Sequence, residues 1–87
     1  SDTALVKSLL VNVAKESGFV LKYPLPFVRF KDFGDSSLNF ELHFWSQEFI
    51  RIEDIKSDLR FEIDRVFREN KIVIPFPQRD VWLKNNT

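Results

Sequence analysis

FVRFKDFGDSSLNFELHFW, residues 27–45, decides how the rest of the chain is read. In its first part Val28 and Phe30 alternate with Arg29 and Lys31. In its second part Leu38, Phe40, Leu42 and Phe44 alternate with Asn39, Glu41 and His43. A period of two marks strands with one buried face. Gly34, Asp35, Ser36 and Ser37 between the two runs are turn formers. The stretch therefore predicts a β-hairpin. Parity constrains its register, because a slip of one residue turns an apolar face outward. Two registers keep the faces matched. One sets Lys31 opposite Glu41 and the other sets Arg29 there, so both pair opposite charges on the polar face.

Working outward, residues 1–18 predict a helix that Asp2 or Thr3 can cap and Gly18 can close. Val6, Leu9, Leu10, Val13 and Ala14 fall on one side of it. Pro24 and Pro26 hold the following linker extended. A second helix is predicted from about Ile52 to Asn70, with Ile52, Ile55, Leu59, Ile63, Val66 and Phe67 as its apolar face. Ile72, Val73 and Ile74 then read as a buried strand, stopped by Pro75 and Pro77, which donate nothing to a ladder. Beyond them the alternation restarts, with Val81 and Leu83 on one face and Asp80 and Trp82 on the other. Helix, strand, strand, helix, strand predicts an α+β layer with an antiparallel sheet and both helices on one face. Phe40, Leu42, Leu59, Ile63, Val66 and Ile74 are expected to be buried together.

The chain has 87 residues, enough for one domain with a modest core. Apolar residues are 44 % and well spread, which excludes disorder. Thirteen basic and thirteen acidic residues cancel, so no charge excess draws the chain to nucleic acid or anionic lipid. There is no cysteine, hence no disulfide framework or thiolate metal site. No apolar run reaches the ~20 residues of a membrane helix. The N-terminus is not patterned as a secretory signal and lacks an initiator Met, so the chain reads as a piece of a longer protein.

Catalytic chemistry finds little support. His43 is the one histidine and sits on the polar face of a predicted strand. Asp35, Ser36 and Ser37 are close, but turns favour these residues for backbone reasons, and a triad would need His43 from the far end of its strand. The carboxylates of the second helix are interleaved with Arg60, Arg65 and Arg68, which reads as a solvated, paired surface and not as a metal site. Gly18 and Gly34 are too few for a phosphate-binding loop. No cofactor is implied. One residue breaks the pattern: Phe61 projects almost opposite the apolar face of its helix, beside Arg65 and Arg68. Aromatic residues flanked by arginine are interface-like. Trp82, pointing away from Val81 and Leu83, is a second candidate.

FGDSSLNFEL (33–42), IKSDLRFEIDRVFREN (55–70) and IVIPFPQRDVWL (72–83) together resemble the C-terminal cytoplasmic domain of the small-conductance mechanosensitive channel (MscS) family. The turn Gly34-Asp35-Ser36-Ser37 and the tail Pro75-Phe76-Pro77-Gln78 are its most specific parts. The resemblance implies a ferredoxin-like fold in a homoheptameric channel of the bacterial inner membrane. Such channels open under tension and release solutes on osmotic downshock. Seven copies of this domain would wall a cytoplasmic vestibule through which ions and small solutes pass. Residues 1–77 would form the domain, and residues 78–87 would lead to a strand that closes a small barrel with neighbouring subunits. Phe61, Arg65, Arg68 and Trp82 become candidates for the subunit interface. No nucleic acid is implied, and membrane contact would come only through parts outside these residues.

Two departures from the family pattern stand out. Lys71 follows Asn70 where many members have glycine, so Asn70 is expected to cap the helix. Members also place a strand before the first helix, and here that strand is missing. Its loss would leave an edge of Leu38–Phe44 open. The last strand could slide in beside the hairpin, two copies could exchange strands, or the gap could remain. The expected outcome for these residues alone is a monomer or a small non-physiological oligomer joined at the open edge, and not the heptamer, with the chain beyond Pro77 mobile or borrowed by a neighbouring copy. The alternative to a channel domain is a stand-alone ferredoxin-like module that binds a ligand or RNA through Phe27 and Trp45, a use that Glu41 between them disfavours.

Overall fold

A computed structural model describes residues 3–33, 38–72 and 79–85. Its elements are α1 (Thr3–Glu16), β1 (Phe27–Phe33), β2 (Leu38–Phe44), α2 (Ile52–Glu69) and β3 (Arg79–Asn85). This is the expected α+β order. The turn at 34–37, Ile74 and the Pro75-Phe76-Pro77-Gln78 tail lie outside the described residues.

The hairpin takes the second of the two registers that parity allows. Val28 pairs with Leu42, Arg29 with Glu41 and Phe30 with Phe40, all antiparallel. Between Phe30 and Asp32 the register shifts, and Asp32 pairs with Asn39. Lys31 is thus the extra residue of a bulge. Face matching dictates the register where the hairpin covers the core and relaxes toward the turn.

β2 lies between β1 and β3. The expected antiparallel sheet is corrected here, because β3 runs parallel to β2, from Leu38 opposite Arg79 to Phe44 opposite Asn85. The cause is topological. α2 carries the chain back along the sheet, so the next strand runs in the same direction as β2. The edge of β2 is not open either: seven consecutive residues of β3 satisfy its backbone groups. The linker adds one more bond at this end, Leu21 N–H to the Trp45 carbonyl at 2.7 Å.

The core lies between the sheet and the two helices. Val6, Leu10, Val13 and Ala14 of α1, Phe40, Leu42 and Phe44 of β2, Ile55, Leu59, Ile63 and Phe67 of α2, and Leu83 of β3 are all buried. Of the residues expected to be buried together, Phe40, Leu42, Leu59 and Ile63 are, and Val66 is half-buried against them. Phe30 and Phe40 pack ring to ring at 4.8 Å across the hairpin. Truncating Leu59 to Ala leaves a hole under α2. The expected loss is about 2–5 kcal/mol, to be measured by urea unfolding followed by far-UV circular dichroism.

The helix ends differ from expectation in instructive ways. Gly18 does not adopt a left-handed conformation. Instead the chain leaves α1 through a turn built on Ser17, whose N–H donates to the Ala14 carbonyl and whose Oγ accepts the Phe19 N–H. At the end of α2, Asn70 is the cap residue, and its Nδ2 donates to the Val66 carbonyl at 2.8 Å. The left-handed residue, however, is Lys71, with φ 57°. Lys71 N–H bonds the Arg68 carbonyl and Ile72 N–H the Phe67 carbonyl, the paired bonds of a Schellman motif. A side chain there costs about 1 kcal/mol that glycine avoids. Lys71→Gly is therefore expected to raise the unfolding free energy by about 0.5–1 kcal/mol in the same urea titration.

Candidate functional site

Two surfaces carry the residues that the sequence singles out. The first is the face of the sheet turned away from the helices. Pleating puts Glu41 and His43 there, between the inward Phe40, Leu42 and Phe44. Neither is solvated as a polar-face residue would be, since both side chains are only 12 % exposed. His43 Nε2 lies 3.0 Å from Glu41 Oε1. The Phe27 ring covers His43 in a parallel stack, 4.6 Å between centroids, and Trp45 leans on Phe27 at 5.9 Å. The central position of β2 explains the burial: a strand flanks it on each side, and the Phe27 ring of β1 lies over the polar row.

The arrangement is a mostly buried polar contact beneath an aromatic ring. A Glu–His pair can move a proton, but a hydrolytic site also needs a nucleophile. Ser46, the nearest described serine in sequence, is committed elsewhere. Its N–H donates to Asn85 Oδ1 at 3.1 Å, and its Oγ accepts the Glu48 N–H at 3.2 Å. Ser36 and Ser37 lie outside the described residues. Among the described residues, no three His, Asp or Glu side chains converge in a way that could hold a metal ion. The aromatic pair considered for base stacking is partly occupied, since Phe27 already stacks on His43.

The second surface is the outer side of α2. Phe61 is 73 % exposed, as its position opposite the apolar face requires. Arg65 is clamped by two carboxylates, at 2.8 Å from Glu62 and 2.7 Å from Glu69. Hydrogen bonding to Arg65 holds the Glu62 carboxyl below its ordinary range, and the two glutamates push the Arg65 guanidinium further up. Arg68 pairs with Asp64 at 3.0 Å. Phe61 thus stands on a helix face braced by i,i+3 and i,i+4 pairs. The fourth candidate, Trp82, lies in β3 opposite Glu41, so its backbone is on the sheet and not on this helix.

Sequence patterning missed a third group. Phe49 and Ile50, in the turn before α2, are exposed, as are Tyr23 and Leu25 in the linker. Apolar residues outside any period, next to prolines or a helix start, were the available signal. Phe19 joins them, its ring under the Arg51 guanidinium at 5.0 Å.

The chain belongs to the MscS family: the model described as "Mechanosensitive ion channel MscS, C-terminal" matches residues 1–74. It is 36 % identical to an uncharacterized MscS family protein of Haemophilus influenzae over 99 % of this chain and 8 % of that one. It is 35 % identical to an uncharacterized MscS family protein of Archaeoglobus fulgidus over 88 % of this chain and 27 % of that one. A Helicobacter pylori protein named small-conductance mechanosensitive channel is 33 % identical over 98 % of this chain and 31 % of its own length. The chain thus spans less than a third of each of these relatives. No solved structure matches it. No helix among the described residues is long and apolar enough to cross a membrane.

The His43–Glu41 contact is internal to the sheet, so its loss should appear as stability. His43→Ala removes a partner from a mostly buried carboxylate and a ring from Phe27. A destabilisation of about 1–3 kcal/mol is expected in chemical denaturation.

Proposed function

We propose that this chain is the vestibule and oligomerisation domain of a homoheptameric mechanosensitive channel of the bacterial inner membrane, which releases ions and small solutes on hypo-osmotic shock. The observation that carries the reading is the family match over residues 1–74. The domain faces the cytoplasm and does no chemistry of its own. Residues 1–77 form the wall, and residues 78–87 lead to the assembly barrel. There Arg79–Asn85 exchanges its pairing with β2 for pairing with neighbouring subunits. Phe61, Arg65, Arg68 and Trp82 face those neighbours. The braced outer surface of α2 and its exposed ring support that role.

The test uses the longer gene product that contains residues 1–87, expressed in bacteria lacking their own mechanosensitive channels. Survival of osmotic downshock and tension-activated currents in membrane patches are expected, with a seven-subunit mass in detergent. His43→Ala should retain both survival and current. Membranes that contain the protein but show no tension-activated current would refute the reading.

A further inference from the structure

A cleft of about 290 Å³ opens between the end of α1 and the first half of α2. Val13, Ile55 and Leu59 form its floor and Phe19 a wall. Glu16, Asp58 and Glu62 stand at its rim. Glu62 is engaged by Arg65, but Glu16 and Asp58 have no ion pair or side-chain hydrogen bond among the described residues. Glu16 is also badly placed for its own helix, because a carboxylate in the last turn of α1 meets the negative end of the macrodipole. Gly18 lines the mouth. Its backbone is not left-handed, and a Cβ built there would meet nothing within 4 Å. Neither backbone geometry nor internal crowding calls for a glycine there, and a side chain added at this position would project into open space at the mouth.

The Arg51 guanidinium stands on the Phe19 wall, 5.0 Å from the ring, but leaves Glu16 and Asp58 without an ion pair among the described residues, so the cleft still suits an apolar group carrying positive charge, and α2 displays one elsewhere. Phe61 is exposed beside Arg60, which has no ion pair among the described residues. At about 100° per residue, Ser57, Arg60 and Phe61 centre about 140° around α2 from Ile55, Asp58 and Glu62. The ring therefore cannot reach the cleft of its own molecule. We propose that Phe61 of one copy inserts into the cleft of a second copy, with its Arg60 meeting Asp58 and Glu16 there. The contact joins unlike surfaces, so it leaves each copy with one knob and one cleft to propagate into a ring. It specifies how neighbours meet and rests on the assembly reading above.

The chain contains no cysteine, so introduced ones report cleanly. Ser57→Cys sits beside Phe61, and Gly18→Cys sits at the open cleft mouth. Under mild oxidation, the 87-residue chain carrying both should form a covalent ladder of dimer, trimer and higher species as concentration rises. Either single variant should form almost none. Adding Phe61→Ala should cut the ladder at least about tenfold. Arg60→Asp should abolish it, and Arg60→Asp with Asp58→Arg should restore it. Circular dichroism confirms that each variant is folded. A folded double-cysteine variant that gives no ladder overturns the contact, and so does a ladder indifferent to Phe61→Ala. Efficient dimers from Ser57→Cys alone also overturn it, since they mean that like surfaces meet. If the longer protein conducts under tension and no ladder forms, only this contact falls. If the ladder forms and no current is found, the contact stands without the channel.

Discussion

The rest of the structure depends on the central place of β2. Its two faces do opposite work. Phe40, Leu42 and Phe44 disappear beneath the helices, while Glu41 and His43 lie on the far side. With a strand hydrogen-bonded on each flank, no part of β2 is left for water to satisfy. A one-residue slip would push three large apolar side chains outward and force a carboxylate and an imidazole into the core. That penalty makes the register unique, and the register then places both helices and the third strand. It also explains why the polar row is so dry: a central strand is flanked on both sides, so even its outward residues are half enclosed.

Much of this was legible in the residues themselves. Alternation gave both hairpin strands, helical spacing gave both helices, and one misfit, Phe61, marked the outward side of α2. The direction of the third strand was not legible. Val81 and Leu83 alternate equally well in either direction, and the choice between parallel and antiparallel pairing is made by the path of α2, a non-local matter. The bulge at Lys31 was hidden for a similar reason, since near a turn the polar face tolerates either parity. By residue type, Gly18 and Asn70 are the candidates for a left-handed helix end. The structure gives that conformation to Lys71, where the bonds of Ile72 and Lys71 to the last turn of α2 outweigh the steric preference. Identity at a helix end is a weak guide when the next apolar residue is pulled back toward the core.

The candidate assembly surface was legible in part. Phe61 followed from helical geometry alone. The cleft did not, because it exists only where α1 and α2 meet, and it is lined by residues that each look ordinary. Val13, Ile55 and Leu59 read as core, Glu16 and Asp58 as solvated surface. The internal pairs of Arg65 and Arg68 were likewise invisible as a choice between partners. They occupy the arginines that composition had nominated and leave Arg60 available.

The bond from Ser46 N–H to Asn85 Oδ1 sits where β2 and β3 both end. Consider a pull directed along the axis of β3, which pairs with β2 over its whole length. The ladder is then loaded in shear, with its hydrogen bonds sharing the force together instead of parting one by one. Peeling β3 sideways would break them in sequence and meet far less resistance. The third strand is therefore mechanically anisotropic: stiff along its length, weak across it. In a domain of a tension-sensing family, the angle at which the following residues leave the sheet decides whether force is transmitted to the core or spent in detaching the strand.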